Sequence, residues 1–102
     1  MGKFVLAYRG GAMAPTEEEV QASMAKWMQW FGDLGSAVTD TGNPFGASVA
    51  VNADGGRGAT VAGLGGYSIL TADTLEAAAD LAKGCPVLEG GGSVEIYEAQ
   101  EM

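Results

Sequence analysis

The chain has 102 residues, of which 47% are apolar, so it can form one folded domain and is not intrinsically disordered. Thirteen acidic residues against five basic ones give a formal net charge of −8. This charge disfavours nucleic acid and anionic membranes as partners, because both bind clustered Lys and Arg. The absence of histidine excludes Ser–His and Cys–His nucleophile pairs and imidazole metal ligands.

No apolar run approaches the roughly 20 residues that cross a bilayer, and no basic segment followed by an apolar one indicates a secretory signal. The one cysteine, Cys85, cannot form a disulfide within the chain, as is typical of proteins in a reducing compartment. We therefore expect a cytoplasmic protein that does not enter a membrane.

The first half of the sequence predicts a strand and a long helix. From Phe4 to Tyr8 both alternating sets of residues are apolar, so this strand needs cover on both of its faces. Thr16 followed by Glu19 forms a capping box at the start of a helix that Gly35 ends. The apolar stripe of this helix consists of Val20, Met24, Trp27, Met28, Phe31 and Leu34.

The second half predicts further strands and a second helix. Strand signals occur at residues 38–41, 47–51, 66–72 and 93–98, and the first two are short. Residues 42–46 between them have turn chemistry. Asp73 with Glu76 forms a second capping box, and Gly84 ends the helix that begins there.

The order of these elements predicts an α+β domain over residues 1–102, with a ferredoxin-like β-α-β-β-α-β antiparallel sheet. Two helices cover only one face of such a sheet, but the first strand is apolar on both faces. The uncovered face therefore needs a second copy of the chain or a small-molecule ligand. We expect both, in a homodimer whose two sheets meet face to face as a dimeric α+β barrel.

Three motifs in the second half resemble the YciI-related, or DGPF-type, family of small proteins. They are Gly66-Tyr67-Ser68-Ile69, Asp73-Thr74-Leu75-Glu76-Ala77-Ala78 and Cys85-Pro86. The first half is similar more loosely, through the Phe4–Tyr8 strand, the helix that ends at Gly35 and the Gly42-Asn43-Pro44 turn. The resemblance implies a ferredoxin-like fold assembled as a dimeric barrel.

Some members of that family are thought to use a His–Asp pair in the barrel cleft, and proteins with this fold include isomerases and dehydrochlorinases. This chain has no histidine, so that pair cannot form. It also lacks the Asp-Gly-Pro-Phe tetrapeptide and has Gly63-Leu64-Gly65 in the corresponding region. We therefore do not transfer His-dependent catalysis to this protein.

Asp40 is the candidate catalytic residue. Its carboxylate precedes the Gly42-Asn43-Pro44-Phe45 turn, where it would act as a general base at the mouth of a cleft, with Asn43 as a hydrogen-bond donor. The alternative is an aspartate that only satisfies the backbone N–H groups of its own turn.

A ligand pocket is the second candidate. Tyr8, Arg9 and Tyr67, with Asn43 and Phe45 from the turn, would line a pocket at the dimer interface and bind a small carboxylate or phenolic compound. The alternative is that the tyrosines belong to the core and that Arg9 is solvated at a strand end.

Other motifs favour structural roles. Trp27, Trp30 and Phe31 would be able to stack an aromatic ligand, but their spacing favours a buried helix face, with Trp30 near the edge of the stripe and of the dimer. Cys85 follows a helix C-terminus, which disfavours a thiolate. The glycine runs precede strands and do not match a nucleotide loop, and no acidic cluster matches a metal loop. We expect no cofactor and no metal.

Three functional hypotheses stay open. The first is a dimeric small-ligand-binding or regulatory protein without His-dependent catalysis. The second is an isomerase- or lyase-type enzyme that acts on a small aromatic or carboxylate substrate in the cleft between the sheets, with Asp40 as its base. The third is a subunit of a structural assembly.

Overall fold

The computed structural model describes residues 2–10, 16–60 and 63–100, and these residues form an α+β fold. The strands are β1 (Gly2–Arg9), β2 (Val38–Asp40), β3 (Ala50–Val51), β4 (Arg57–Gly58), β5 (Leu64–Ala72) and β6 (Ser93–Ala99). The helices are α1 (Glu17–Leu34) and α2 (Leu75–Ala82). Four strands form one antiparallel sheet in the order β2-β5-β1-β6, which confirms the predicted ferredoxin-like arrangement.

Side chains on one face of this sheet form the core under the two helices. Along β1, Phe4, Leu6 and Tyr8 are buried, and Leu70 of β5 lies opposite Phe4. The buried core residues are Leu6, Tyr8, Trp30, Leu70, Ala82 and Cys85, with Phe4, Ala72 and Ala78 in a second cluster. Both helices therefore pack on the same side of the sheet.

We call the other side of the sheet the open face, because neither helix packs on it. Its residues, from the register of the strands, are Lys3, Val5, Ala7, Arg9, Tyr67, Ile69, Thr71, Glu95, Tyr97 and Ala99. Most of them are half-buried by their neighbours in the sheet. One polar cluster lies among them: Arg9 forms an ion pair with Glu95, whose other carboxylate oxygen accepts a hydrogen bond from the Tyr97 hydroxyl at 2.6 Å.

Both helices begin with a threonine N-cap. Thr16 Oγ1 accepts a hydrogen bond from the Glu19 N–H at 3.2 Å, as the first capping box predicts. At the second helix the prediction of Asp73 as the cap is wrong by one residue. Thr74 has the extended backbone of an N-cap, and its Oγ1 accepts from the Ala77 N–H at 3.0 Å.

The face that α1 buries differs from the predicted stripe. Trp30, expected at the edge of the stripe, is the buried residue of α1 and is only 6% exposed. Its indole N–H donates to the Leu81 carbonyl at 3.2 Å, which fixes α1 against the end of α2. Met24 and Met28 are 60% and 72% exposed, because α1 leans over the sheet on its C-terminal half.

The predicted turn after β2 is instead paired with β5. Pro44 forms a bridge with Gly66, and the Phe45 N–H donates to the Gly65 carbonyl at 2.9 Å. The two backbones approach so closely at Gly42 that a Cβ there would lie 1.7 Å from the Tyr67 carbonyl oxygen. Glycine is therefore required at this position, where φ is also positive at 75°.

The predicted strand over residues 47–51 does not join the main sheet. Ala50–Val51 pairs with Arg57–Gly58 in a separate two-stranded hairpin. Val49 and Val51 are 58% and 70% exposed, so this hairpin buries little of its own apolar surface.

Candidate functional site

A cleft of about 1130 Å³ lies on the helix side of the sheet. One wall is the α1 face that contains Met24, Trp27, Met28 and Phe31. Opposite it are the ends of β1 and β5, the segment from Thr41 to Pro44 and residues 86–90. The cleft lies beside Trp27, where α1 contacts the core through Trp27, Trp30 and Phe31 but leaves Met24 and Met28 exposed.

Aromatic rings and thioethers form the apolar wall of this cleft. The Trp27 ring packs edge-on against Tyr8, with a centroid distance of 4.9 Å, and contacts Phe31 at 5.9 Å. Both Trp27 and Phe31 are half-buried, so part of each ring faces the cleft. Met24 and Met28 flank Trp27 along the helix, and thioethers make favourable contacts with aromatic rings. Such a wall suits a flat, apolar compound.

A chain of hydroxyl groups lies at the floor of the cleft. The Tyr8 hydroxyl donates to Ser68 Oγ at 2.7 Å, and Ser68 Oγ donates to the Thr41 carbonyl at 2.6 Å. We call this chain the relay. All three residues border the cleft, but Ser68 has no exposed surface and Tyr8 is only 7% exposed. The relay is therefore held by packing, and Tyr8 borders the cleft.

Tyr8 stays in its neutral form. Burial raises the pKa of the Tyr8 phenol well above its ordinary value, and this effect outweighs the opposing hydrogen bond with Ser68. The nearby Cys85 thiol adds a small further rise to the pKa of Tyr8. The floor of the cleft thus carries neutral hydroxyls and no charge.

Charged groups of the cleft lie at its rim. Lys26 Nζ is 2.9 Å from Glu89 Oε2, and both side chains are largely exposed. Glu19, at the start of α1, also borders the opening. An exposed ion pair of this kind contributes little to stability. Its relevance to the site is its position at the opening of the cleft.

The predicted ligand residues do not converge on one site. Tyr8 and Asn43 border this helix-side cleft, whereas the predicted pocket was at the interface of a dimer. Tyr67 also borders the cleft, but the register directs its ring to the open face, where it stacks on Phe45 with a centroid distance of 5.8 Å. Arg9 is on the open face as well, paired with Glu95. Because adjacent strand residues point to opposite faces, Tyr8 cannot share a pocket with Arg9 or the Tyr67 ring.

Asp40 hydrogen-bonds the backbone of its own turn, which was the alternative to a catalytic role. Its Oδ1 accepts a hydrogen bond from the Gly42 N–H at 2.8 Å, which stabilises the tight passage beside Tyr67. Asp40 is exposed and does not border the cleft. Its carboxylate is therefore outside this helix-side cleft, whereas the role predicted for Asp40 was that of a base in a cleft between two sheets.

Three side chains of the site, those of Ser68, Met24 and Met28, were not predicted to contact a ligand. Ser68 lies on the inward face of β5, between Gly66 and Leu70, and a single hydroxyl in a buried row is a signal that alternation reveals. The exposed methionines Met24 and Met28 belong to the predicted stripe, but only the position of α1 shows that they line a cleft.

The described residues contain no group of three or more Cys, Asp or Glu side chains placed to hold a metal ion. Cys85 is buried beside the core, and burial raises the pKa of its thiol to about 11, so it stays protonated. Among the described helices, none is long and apolar enough to cross a membrane.

Comparison with known proteins places the chain in a family. A solved structure of 5-chloro-2-hydroxyhydroquinone dehydrochlorinase from Burkholderia phenoliruptrix AC1100, in complex with 2,5-dihydroxybenzoquinone, is similar in fold. Its TM-score is 0.57 at 16% sequence identity, and the match covers 97% of this chain and 95% of that one. No curated protein matches the sequence significantly. The family model of the YCII-related domain matches residues 1–102, so the protein belongs to the YCII-related family.

Proposed function

We propose that the protein binds a small planar aromatic compound in the cleft between α1 and the sheet. The observation that carries this proposal is the combination of an apolar aromatic wall, at Trp27 and Phe31, with a neutral hydroxyl at the floor, at Tyr8. Sites for small molecules commonly combine apolar walls with a few polar groups that fix orientation. The cleft also has room for a ring of one or two fused cycles.

The chemistry of the cleft favours binding or regulation over acid–base catalysis. The chain has no histidine, and Tyr8 remains neutral. The ionisable groups of the cleft, Glu19, Lys26 and Glu89, are at its solvated rim. A general base must reach the proton that it removes, and no carboxylate lies at the floor.

An isomerase- or lyase-type enzyme is the second candidate. It is supported by the similar fold of a dehydrochlorinase whose structure holds 2,5-dihydroxybenzoquinone, a small oxygenated ring. Turnover would appear as a new product in NMR spectra of the compound incubated with the protein, whereas a binding protein would return the compound unchanged.

We also propose that the protein forms a homodimer through the open face, as a dimeric α+β barrel in the cytoplasm. Val5, Ala7 and Ile69 form an apolar centre that neither helix covers, and a second copy of the same face would bury it. The polar cluster of Arg9, Glu95 and Tyr97 already satisfies its own charges, so it can be buried without an unpaired group. The buried, unpaired Cys85 is compatible with a reducing compartment.

Tryptophan fluorescence tests the binding site directly, because the chain contains only Trp27 and Trp30. We expect 2-naphthol to change the emission of the Trp30→Phe variant, which retains Trp27 in the cleft. The Trp27→Phe variant, whose remaining Trp30 is in the core, should respond much less.

Calorimetry with a charged variant locates the ligand independently. Met28→Arg places a cation on the apolar wall at a position that is 72% exposed, so the fold should tolerate it. We expect the affinity of this variant for 2-naphthol to fall by at least about tenfold. The guanidinium must either be desolvated by the bound ring or occupy part of the cleft itself. Val51→Arg in the hairpin, at 70% exposure, is the matched control and should bind normally. Equal affinity in both variants would contradict this site.

A further inference from the structure

We infer that the Tyr8 hydroxyl at the floor of the cleft can only accept a hydrogen bond, so that it selects a bound aromatic compound that donates one: a phenol rather than a ketone or an ether. This inference rests on the proposed function, because it names the class of ligand for the same cleft. It follows from the direction of the relay through Tyr8, Ser68 and Thr41.

The direction of the relay is fixed at the Thr41 end. The Thr41 group is a backbone carbonyl, which can only accept a hydrogen bond. The hydroxyl of Ser68, 2.6 Å away, must therefore supply the proton of that bond. A serine hydroxyl has one proton, so Ser68 has none left for Tyr8.

The same count applies to the next link. The oxygens of Tyr8 and Ser68 are 2.7 Å apart, and the proton between them must come from Tyr8. The Tyr8 hydroxyl therefore donates its only proton to Ser68, and its oxygen can only accept any further hydrogen bond. A ligand that meets this oxygen gains a hydrogen bond only if it brings an O–H or N–H of its own.

Packing prevents the relay from reversing. Ser68 has no exposed surface, so no water molecule can reach its hydroxyl and take over a hydrogen bond of the relay. The edge-on contact of Trp27 with the Tyr8 ring restricts movement of the Tyr8 side chain. Turning the Tyr8 proton towards the cleft would leave a buried oxygen in the relay without its donor, which is costly in an apolar site.

Matched naphthalene compounds provide the test. Calorimetry would compare 2-naphthol, which donates, with 2-acetonaphthone and 2-methoxynaphthalene, which only accept. We expect 2-naphthol to bind roughly tenfold or more tightly than the other two. A compound that only accepts would desolvate the Tyr8 oxygen without forming a hydrogen bond to it. In Tyr8→Phe this preference should disappear, because the accepting oxygen is gone.

Breaking the relay should change the preference in a direction that a structural role would not produce. In Ser68→Ala the Tyr8 proton loses its acceptor and can turn to the cleft, so 2-acetonaphthone should gain affinity. Ser68→Thr retains a hydroxyl and should retain the preference for 2-naphthol. Circular dichroism would confirm that each variant is folded, and Tyr8→Phe provides the answer if Ser68→Ala does not fold.

The outcomes separate the two proposals. A preference for 2-naphthol that depends on Tyr8 supports the inference. Equal binding of the three compounds would overturn it and leave the aromatic binding site in place. If none of the three binds, both the site and its ligand class are overturned.

Discussion

The residues that shape this site act through single atoms. Gly42 and Gly66 allow two backbones to approach, and this approach places the Thr41 carbonyl where Ser68 can donate to it. A Cβ on Gly66 would lie 3.0 Å from the Asn43 carbonyl oxygen, and one on Gly42 would overlap the Tyr67 carbonyl. The relay therefore depends on glycines that carry no chemistry themselves.

Gly42→Ala should be one of the most damaging exposed-loop substitutions in the protein. The new Cβ would lie 1.7 Å from the Tyr67 oxygen, so the segment must move as well as bear a positive φ. We expect a loss of about 3 kcal/mol or more in the free energy of unfolding, measured by urea denaturation.

Gly91→Ala is the matched control for that measurement. Its φ of 84° imposes similar backbone strain, but no atom lies within 4 Å of the added Cβ. The loss should be about 1–2 kcal/mol. Equal losses in the two variants would show that the close approach to Tyr67 carries no energy of its own.

At the scale of the element, α1 has two functions. Its C-terminal half packs through Trp30 and Leu34 against the core and holds the helix in place. Its middle turns leave Met24 and Met28 exposed over the strand ends and provide the wall of the cleft. The helix behaves as an amphipathic core element at one end and as a binding surface at the other.

The short helix α2 depends on its cap because it has only eight residues. Thr74→Ala removes the acceptor of the Ala77 N–H and should lower the free energy of unfolding by about 1 kcal/mol. Asp73→Ala removes only a nearby negative charge and should cost about 0.3–1 kcal/mol at low ionic strength, falling as salt is added. Thermal melts at two salt concentrations would distinguish them; a salt-independent loss only in Asp73→Ala would contradict the cap at Thr74.

At the scale of the whole molecule, the chain is a thin layer. Its principal extents are 44 × 39 × 19 Å, which is one sheet with one layer of helices. Such a shape leaves one sheet face without a partner, and domains are normally built from layers that bury both apolar faces. The open face is therefore the feature that the proposed homodimer explains.

Ile69→Glu tests the homodimer. Ile69 lies opposite Val5 at the centre of the open face, so two glutamates would be buried against each other in a face-to-face dimer. We expect the wild-type protein to be a dimer at micromolar concentration by native mass spectrometry, and Ile69→Glu to be a folded monomer. Val51→Glu, on the exposed hairpin, should remain dimeric. A monomeric wild-type protein would refute the barrel.

The sequence by itself determined the fold, because its signals are local. Alternation along residues 4–8, the capping box of Thr16 and the order of elements depend on neighbours in the chain, and each matches the structure. Ser68 could also have been recognised, since alternation places this hydroxyl in the buried row of β5.

Only the tertiary structure decided the site. The faces of Tyr8 and the Tyr67 ring follow from strand register, which separates two residues that looked like partners in the sequence. The exposure of Met24 and the burial of Trp30 follow from where α1 meets α2, which periodicity cannot specify. A binding site of this kind is built from the distances between elements, and such distances are set by packing rather than by local pattern.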